Sequence, residues 1–275
     1  MKRKITVSLD ENILERIDQD VSDKKGKNRS SVIENLLKLT YGEFIDSTVI
    51  IFAHDSKWDN RPYPFENPKA LLEVREESLI KRQVSIFTKP GIKNIIVTIP
   101  LWSQSLFEKE LWDSFPTIHF QFIELDADLK TWAALKRALK LPFTSKNIII
   151  SNGDIFYWDL DLKEYYEYYK EQRWDFSFCL KFVLNPEQLG NVRVHGNKII
   201  EFVERPKASQ MNLTNSGLYI TTRKFLDTHN LWNYLEIDFF PKLPDISNTI
   251  WYIYSWEWEH IQNDSAYERV NGWLM

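Results

Sequence analysis

Two groups of polar side chains in this 275-residue chain stand where chemistry could be done. The first is Ser151-Asn152-Gly153-Asp154, which directly follows the apolar run Asn147-Ile148-Ile149-Ile150. A buried strand that ends in a small turn leaves the Asp154 carboxylate at its carboxyl end, where ligand crevices open in α/β sheets. A hard cation such as magnesium takes one or two carboxylates and finishes its shell with substrate phosphates, so Asp154 is the first candidate metal ligand. The second group lies at the N-terminus, where Lys4-Ile5-Thr6-Val7-Ser8-Leu9 alternates polar and apolar residues at period two. That is the pattern of a strand with one buried face, and its outer face would present Lys2, Lys4, Thr6 and Ser8. Thiol chemistry is not expected: Cys179 is the single cysteine, which excludes an internal disulfide and a multi-cysteine zinc site, and its neighbours make it a small buried hydrophobe.

The elements that would position these residues fall into two groups. Asp10 is placed to cap a helix from Glu11 to about Val21, with Ile13, Leu14, Ile17 and Val21 on one face. Asp23-Lys24-Lys25-Gly26-Lys27-Asn28 breaks it, and Ser31-Val32-Ile33-Glu34 has the spacing of a capping box opening a second helix with Val32, Ile33, Leu36 and Leu37 as its stripe. One strand and two helices in about 40 residues bury too little apolar surface to stand alone, so residues 1–45 are expected to form a homodimer. After Gly42, strands at 48–53, 94–99, 118–125 and 147–150 alternate with helices near 79–87, 105–113 and 131–139. Continuous apolar strands between helices predict a second domain over 46–275, an α/β unit with a Rossmann-like, mainly parallel sheet covered on both faces.

The strand-helix-helix order of the first group, with Arg29-Ser30-Ser31 opening its second helix, resembles the ribbon-helix-helix repressors, whose two-stranded ribbon enters the DNA major groove. The resemblance implies a β-α-α domain that binds double-stranded DNA. Lys4, Thr6 and Ser8 would read base edges, and the amides near Ser30 and Ser31 would hold a phosphate. Lys2 and Arg29 would join the contacts, and Arg3, Lys24, Lys25 and Lys27 would add salt-dependent affinity. Residues 1 to 41 hold nine basic and seven acidic side chains, a balance of +2 that leaves −6 of the net −4 to the rest, so a polyanion should meet the N-terminal part first.

The second group resembles the sugar-phosphate nucleotidyltransferases. Pro68-Lys69-Ala70-Leu71-Leu72-Glu73-Val74 is similar to their Pro-Lys-Ala-Leu-Leu-Pro-Val segment, and Asn152-Gly153-Asp154 falls where their metal aspartate does. Gly190-Asn191-Val192-Arg193-Val194 with Ile200-Glu201-Phe202-Val203-Glu204-Arg205-Pro206 resembles their hairpin ending Glu-Phe-Val-Glu-Lys-Pro, and Asn215-Ser216-Gly217-Leu218-Tyr219-Ile220 their Asn-Ala-Gly strand. That family joins a sugar 1-phosphate to a nucleoside triphosphate with magnesium, releasing pyrophosphate. The resemblance implies that Lys69 steadies phosphate charge and Asp154 holds Mg2+. Asn152, Glu204, Arg205 and Asn215 would line the nucleotide or sugar pocket.

Two departures from that family are visible. Its Gly-Gly-x-Gly-Thr-Arg loop falls on His54-Asp55-Ser56-Lys57-Trp58-Asp59, so no glycine remains to let backbone amides approach phosphates, and an aspartate replaces the arginine. Its second metal aspartate falls on His260, a poorer magnesium ligand, for which a hydrogen-bonded role beside aromatic packing is expected ahead of ligation. Three readings follow. The first is a DNA-binding regulator whose C-terminal domain keeps the transferase fold in a degenerate or ligand-sensing form, with a nucleotide or sugar pocket. The alternatives are a working magnesium-dependent transferase whose N-terminal module dimerises or localises it, and a glycosyltransferase-like enzyme using a sugar nucleotide. The chain has no run approaching a membrane span and no secretory leader pattern, which predicts no membrane partner and a cytoplasmic location.

Overall fold

A computed structural model describes residues 6–23, 28–37, 46–54, 66–126, 129–143, 145–172, 175–208, 211–229 and 234–272. The chain divides into two compact units, 1–45 and 46–275.

In the first unit, α1 (Glu11–Ser22) starts at Asp10, whose side chain accepts from the Asn12 amide as an N-cap. The second helix, α2 (Arg29–Leu37), begins earlier than the Ser31–Glu34 spacing predicts. Asn28 is the capping residue: its Oδ1 accepts from the Ser31 amide at 2.9 Å, and the Ser31 hydroxyl accepts from the Asn28 amide at 2.9 Å. The reciprocal pair is a capping box shifted three residues toward the N-terminus, because asparagine caps as well as serine does. Ile17 and Val32 are buried, while Val7, Ile13, Leu36 and Leu37 remain exposed. The strand expected at 4–9 is not formed in its described part: residues 6–10 carry no strand pairing, and an extended segment without a partner has nothing to satisfy its amides. Lys2 and Lys4 lie outside the described residues. Thr6 and Ser8 are exposed. Arg29, expected on DNA, is engaged within the unit instead: its guanidinium hydrogen-bonds both carboxylate oxygens of Asp18 and holds that carboxyl below its ordinary value.

The second unit is built on nine strands. They are β1 (Ser47–Phe52), β4 (Asn94–Pro100), β5 (His119–Leu125), β6 (Asn147–Asn152), β8 (Phe176–Phe182), β9 (Gly190–His195), β10 (Lys198–Glu204), β11 (Leu213–Thr222) and β12 (Thr249–Ile253), in the order β5-β4-β1-β6-β11-β8-β12-β10-β9. Short ladders are formed by β2 (Glu73–Val74) with β3 (Glu77–Ser78), and by β7 (Ile155–Tyr157) with β13 (Trp258–His260). The helices α3 (Leu79–Thr88), α4 (Gln104–Leu111), α5 (Thr131–Leu139), α6 (Leu162–Gln172), α7 (Arg223–Thr228), α8 (Leu243–Ile246) and α9 (Asp264–Val270) complete it.

The sheet is mixed, which corrects the expectation of a mainly parallel one. The β5-β4-β1-β6 half is parallel, whereas β11 runs antiparallel to both β6 and β8. The β9–β10 hairpin, closed at Gly196 with φ of 58°, adds a further antiparallel pair, because a short turn can join only antiparallel strands. Central strands read as unbroken apolar runs for a physical reason. Every residue of β1 is buried, since it lies between β4 and β6 with both faces covered. The core beside it is aromatic, with Phe176, Phe178, Tyr219, Phe239 and Phe240 all at ring separations of 4.8 to 6.1 Å from a neighbour in the set. Burying each such ring contributes on the order of 1.5–3 kcal/mol, which fixes the strands that carry the polar residues. Cys179 is buried in β8, and that burial pushes its thiol up to about 12. Among the described residues no helix is long and apolar enough to cross a membrane.

Candidate functional site

A cleft of about 400 Å³ opens in the second unit at the carboxyl ends of β1 and β6. Its floor depends on one glycine. Gly153 turns the chain from β6 into β7 against the end of β1, donating to the Phe52 carbonyl at 2.8 Å, and a Cβ there would stand 2.9 Å from Ala53 Cα and from that same carbonyl. The turn is stapled from α3 by Gln83, whose Nε2 donates to the carbonyls of Asn152 at 2.9 Å and Ile155 at 2.8 Å. Asp154 is thereby delivered into the cleft.

Three ionisable groups meet there from distant parts of the chain. Lys69, in the single turn after Pro68, is only 2% exposed and places Nζ 3.5 Å from Asp154 Oδ2. Register then brings in the third. In the β7–β13 ladder His260 pairs with Ile155, so its Nε2 donates to Asp154 Oδ2 at 3.0 Å. Burial by itself would raise the Asp154 carboxyl, but the charge and hydrogen bond of His260, helped by Lys69, overcome it and hold the carboxyl well below the ordinary carboxylate range. Gln262 stands 3.0 Å from the same histidine nitrogen, and the Trp258 ring lies 6.5 Å from the imidazole.

The opposite wall comes from the β9–β10 hairpin, the bent strand β11 and the segment before α8. Glu204, at the end of β10, has Arg205 Nε 3.4 Å from its Oε1. Asn215 and Gly217 lie where β11 shifts register against β8, Gly217 having φ of 80° and donating its amide to Asn215 Oδ1 at 2.9 Å. Asn215 Nδ2 in turn donates to the Tyr219 hydroxyl at 2.6 Å, which fixes the amide's face toward the cleft. Glu236 enters from a π-helical turn, Leu235–Phe239, and its Oε2 accepts from the Thr131 hydroxyl at 2.7 Å. Burial first, and Glu236 second, push the Glu204 carboxyl up to about 7, while burial raises Glu236 as well.

The cleft therefore gathers Lys69, Asn152, Asp154, Glu204, Arg205, Asn215 and His260, all singled out in the sequence. Lys69 is a buried charged residue, contrary to the solvated lysine its position after a proline could equally suggest. Sequence reasoning missed Glu236, Thr131 and Tyr234. A π-turn follows neither the 3.6 nor the 2 residue period, so the only available signal was an acidic residue inside the apolar run Leu235-Glu236-Ile237-Asp238-Phe239-Phe240. His54, the first residue of the aberrant loop, is buried with Nδ1 2.8 Å from the Thr98 hydroxyl and Nε2 donating to the Leu129 carbonyl at 3.1 Å. The rest of that loop, 55–60, lies outside the described residues.

As a metal position the cleft offers one good oxygen donor. Asp154 suits a magnesium ion that finishes its shell with phosphate oxygens. His260, the other candidate ligand, has its Nε2 3.0 Å from Asp154 Oδ2, beside the Trp258 ring. No group of three or more histidine, cysteine or acidic side chains that could hold an ion is found among the described residues.

Residues 61–239 match the model of the family described as Nucleotidyl transferase. A candidate mannose-1-phosphate guanyltransferase of Sulfolobus acidocaldarius is 25% identical over 77% of this chain, which spans 58% of that protein's length. The D-glycero-alpha-D-manno-heptose 1-phosphate guanylyltransferase of Aneurinibacillus thermoaerophilus is 24% identical over 60% of this chain and 70% of its own. Among solved structures, HddC from Yersinia pseudotuberculosis superposes with a TM-score of 0.68 at 20% identity, over 82% of this chain and 98% of that one. HddC has also been solved complexed with GMP-PN.

Proposed function

The chain belongs to the nucleotidyl transferase family, and from that membership we propose that its second unit transfers a nucleotidyl group from a nucleoside triphosphate to a sugar 1-phosphate, with GTP the first nucleotide to test. The reading is carried by one observation: Lys69, Asp154, Glu204, Arg205 and Asn215, spread over 147 positions of sequence from 69 to 215, line a single cleft at the carboxyl ends of a sheet. Relatives that are guanylyltransferases support the choice of nucleotide.

In this reaction a sugar-phosphate oxygen forms a bond to the α-phosphorus, the bond to the β-phosphate breaks, and pyrophosphate leaves. Such transfers are driven mainly by positioning and charge neutralisation. Lys69, buried and in contact with Asp154, is held ready to meet phosphate charge. His260 orients Asp154 and keeps it ionised. A magnesium ion on Asp154 would supply further neutralisation of phosphate charge. Arg205 and Asn215 position the sugar phosphate, with Glu204 accepting from sugar hydroxyls. The test is pyrophosphate release from a panel of nucleoside triphosphates with sugar 1-phosphates and magnesium. Release that requires both substrates is the expected result. Hydrolysis of a sugar nucleotide without pyrophosphate release would favour the glycosyltransferase reading.

A second reading concerns the first unit, where apolar Val7, Ile13, Leu36 and Leu37 lie exposed on a unit that buries only Ile17 and Val32 among its described apolar residues. A surface so placed supports a homodimer of the ribbon-helix-helix kind, with the exposed Thr6 and Ser8 available to DNA. Selection of bound duplexes from random sequence by the full chain tests it. Enrichment of a two-fold symmetric sequence supports a DNA-binding regulator, and recovery of random sequence rejects it.

A further inference from the structure

Asp154, His260 and Gln262 converge on one side of the cleft from separate segments, the turn after β6, the end of β13 and the chain leading into α9. His260 Nε2 is 3.0 Å from Asp154 Oδ2, and the Gln262 carboxamide nitrogen is 3.0 Å from the same imidazole nitrogen. Little freedom is left to the first two. Their side chains are only 14% and 17% exposed, and the pairing of Ile155 with His260 fixes their spacing through the backbone. Two donors about 2.1 Å from one ion and at right angles to each other stand about 3.0 Å apart. The Asp154–His260 separation is therefore also the bite of a single cation. A proton closes that gap in the structure, and a divalent ion can take its place when the neutral ring keeps its hydrogen on Nδ1 and offers the Nε2 lone pair.

Such a donor set differs from the one magnesium prefers. Magnesium takes oxygen ligands and gains little from imidazole, whereas affinity for a mixed nitrogen and oxygen site rises along the first-row transition ions. Lys69, with Nζ 3.5 Å from the same carboxylate oxygen, opposes any cation there and leaves the weakest binder at most disadvantage. We propose that the metal of this cleft is a first-row transition ion such as Mn2+ or Co2+, held by Asp154 and His260 with the Gln262 carbonyl able to turn toward it, in preference to Mg2+. The inference rests on the transferase reading and adds to it the class of metal. His260 is the specificity-determining residue.

The full chain is titrated with Mn2+ alone, following loss of the free-ion EPR signal, and the bound ion is then displaced with Mg2+. Displacement should need at least a tenfold excess of Mg2+, and pulsed EPR of the bound ion should show the nitrogen coupling of a directly ligated imidazole. His260→Asp, checked to be folded by its thermal transition, should lose that coupling and lower the Mn2+ to Mg2+ preference severalfold, while Asp154→Asn should lose the site. Equal affinity for the two ions, bound Mn2+ without nitrogen coupling, Mn2+ bound as well by Asp154→Asn, or no binding at millimolar Mn2+ each overturns the inference, and none of them touches the transferase reading. That reading falls separately, if a panel of nucleoside triphosphates and sugar 1-phosphates yields no pyrophosphate with either ion while Mn2+ still binds with nitrogen coupling.

Discussion

Asp154 sits at the centre of the cleft's electrostatics, and its partners set what its removal does. Asp154→Asn keeps the shape but leaves buried Lys69 facing an amide and removes the best oxygen donor for a cation. The variant should fold, lose on the order of 2 kcal/mol of stability, and show nucleotidyl transfer reduced by about 10² or more, read from its thermal transition and from pyrophosphate release. Unchanged magnesium-dependent turnover would remove Asp154 from the reaction. Glu204 behaves oppositely. Its folded carboxyl titrates near 7 against an ordinary 4.5, so the folded state holds this proton more tightly and stability falls as pH rises from about 4.5 to about 7. Glu204→Gln has no such proton to lose, so the drop in Tm between pH 5 and pH 8 should be smaller than in the wild type. An equal drop in both proteins would mean that Glu204 ionises freely.

At the scale of elements, the β6–β7 turn matters more than any helix. Gly153→Ala places a methyl carbon against backbone atoms of Phe52 and Ala53, neither of which is the flexible end of a side chain. The strands must separate, at a cost of about 1–3 kcal/mol, and Asp154 moves with them. Transfer activity should therefore fall further than the lower Tm explains when both are assayed well below the transition. Full activity in a folded Gly153→Ala would show that the turn tolerates displacement. The segment 54–59 is the other element to test, for its resemblance to the family's phosphate loop implies that glycines are replaced and that Asp55 and Asp59 would meet a triphosphate. Asp59→Arg should tighten triphosphate binding about tenfold, equivalent to about 1.4 kcal/mol. Weaker binding in that variant would identify Asp59 as part of a working alternative loop.

For the whole molecule, the prediction is one of assembly. Two small helices that bury Ile17 and Val32 while leaving Val7, Ile13, Leu36 and Leu37 exposed make a unit short of core, and a second copy would supply it. Sedimentation equilibrium of the full chain should give a dimer, and Val7→Asp should convert it to a monomer whose nucleotidyl transfer is retained, because the described residues that line the transferase cleft all belong to the second unit. A wild-type monomer at micromolar concentration would end the dimer reading. Retained dimer in Val7→Asp would place the contact elsewhere.

By itself the sequence determined the order of elements, the central buried strands and most of the cleft. Unbroken apolar runs such as 147–150 can only be covered on both faces, and a polar turn after such a run must stand at the sheet's ligand-binding edge. Asp154 could be named in advance on that ground, and Lys69, Glu204, Arg205 and Asn215 from the resemblance of their contiguous motifs to those of the nucleotidyltransferases. What the tertiary structure decided depends on register between distant segments. The antiparallel entry of β11 between β6 and β8 is one such case, and the pairing of His260 with Ile155, which brings its Nε2 within 3.0 Å of Asp154, is another. From a π-turn, which leaves no periodic trace in sequence and is held to the first residue of α5, Glu236 reaches the cleft that Glu204 also lines. Periodicity reports which face of an element is buried, and it carries no information on what another element, a hundred residues away, will bring to that face.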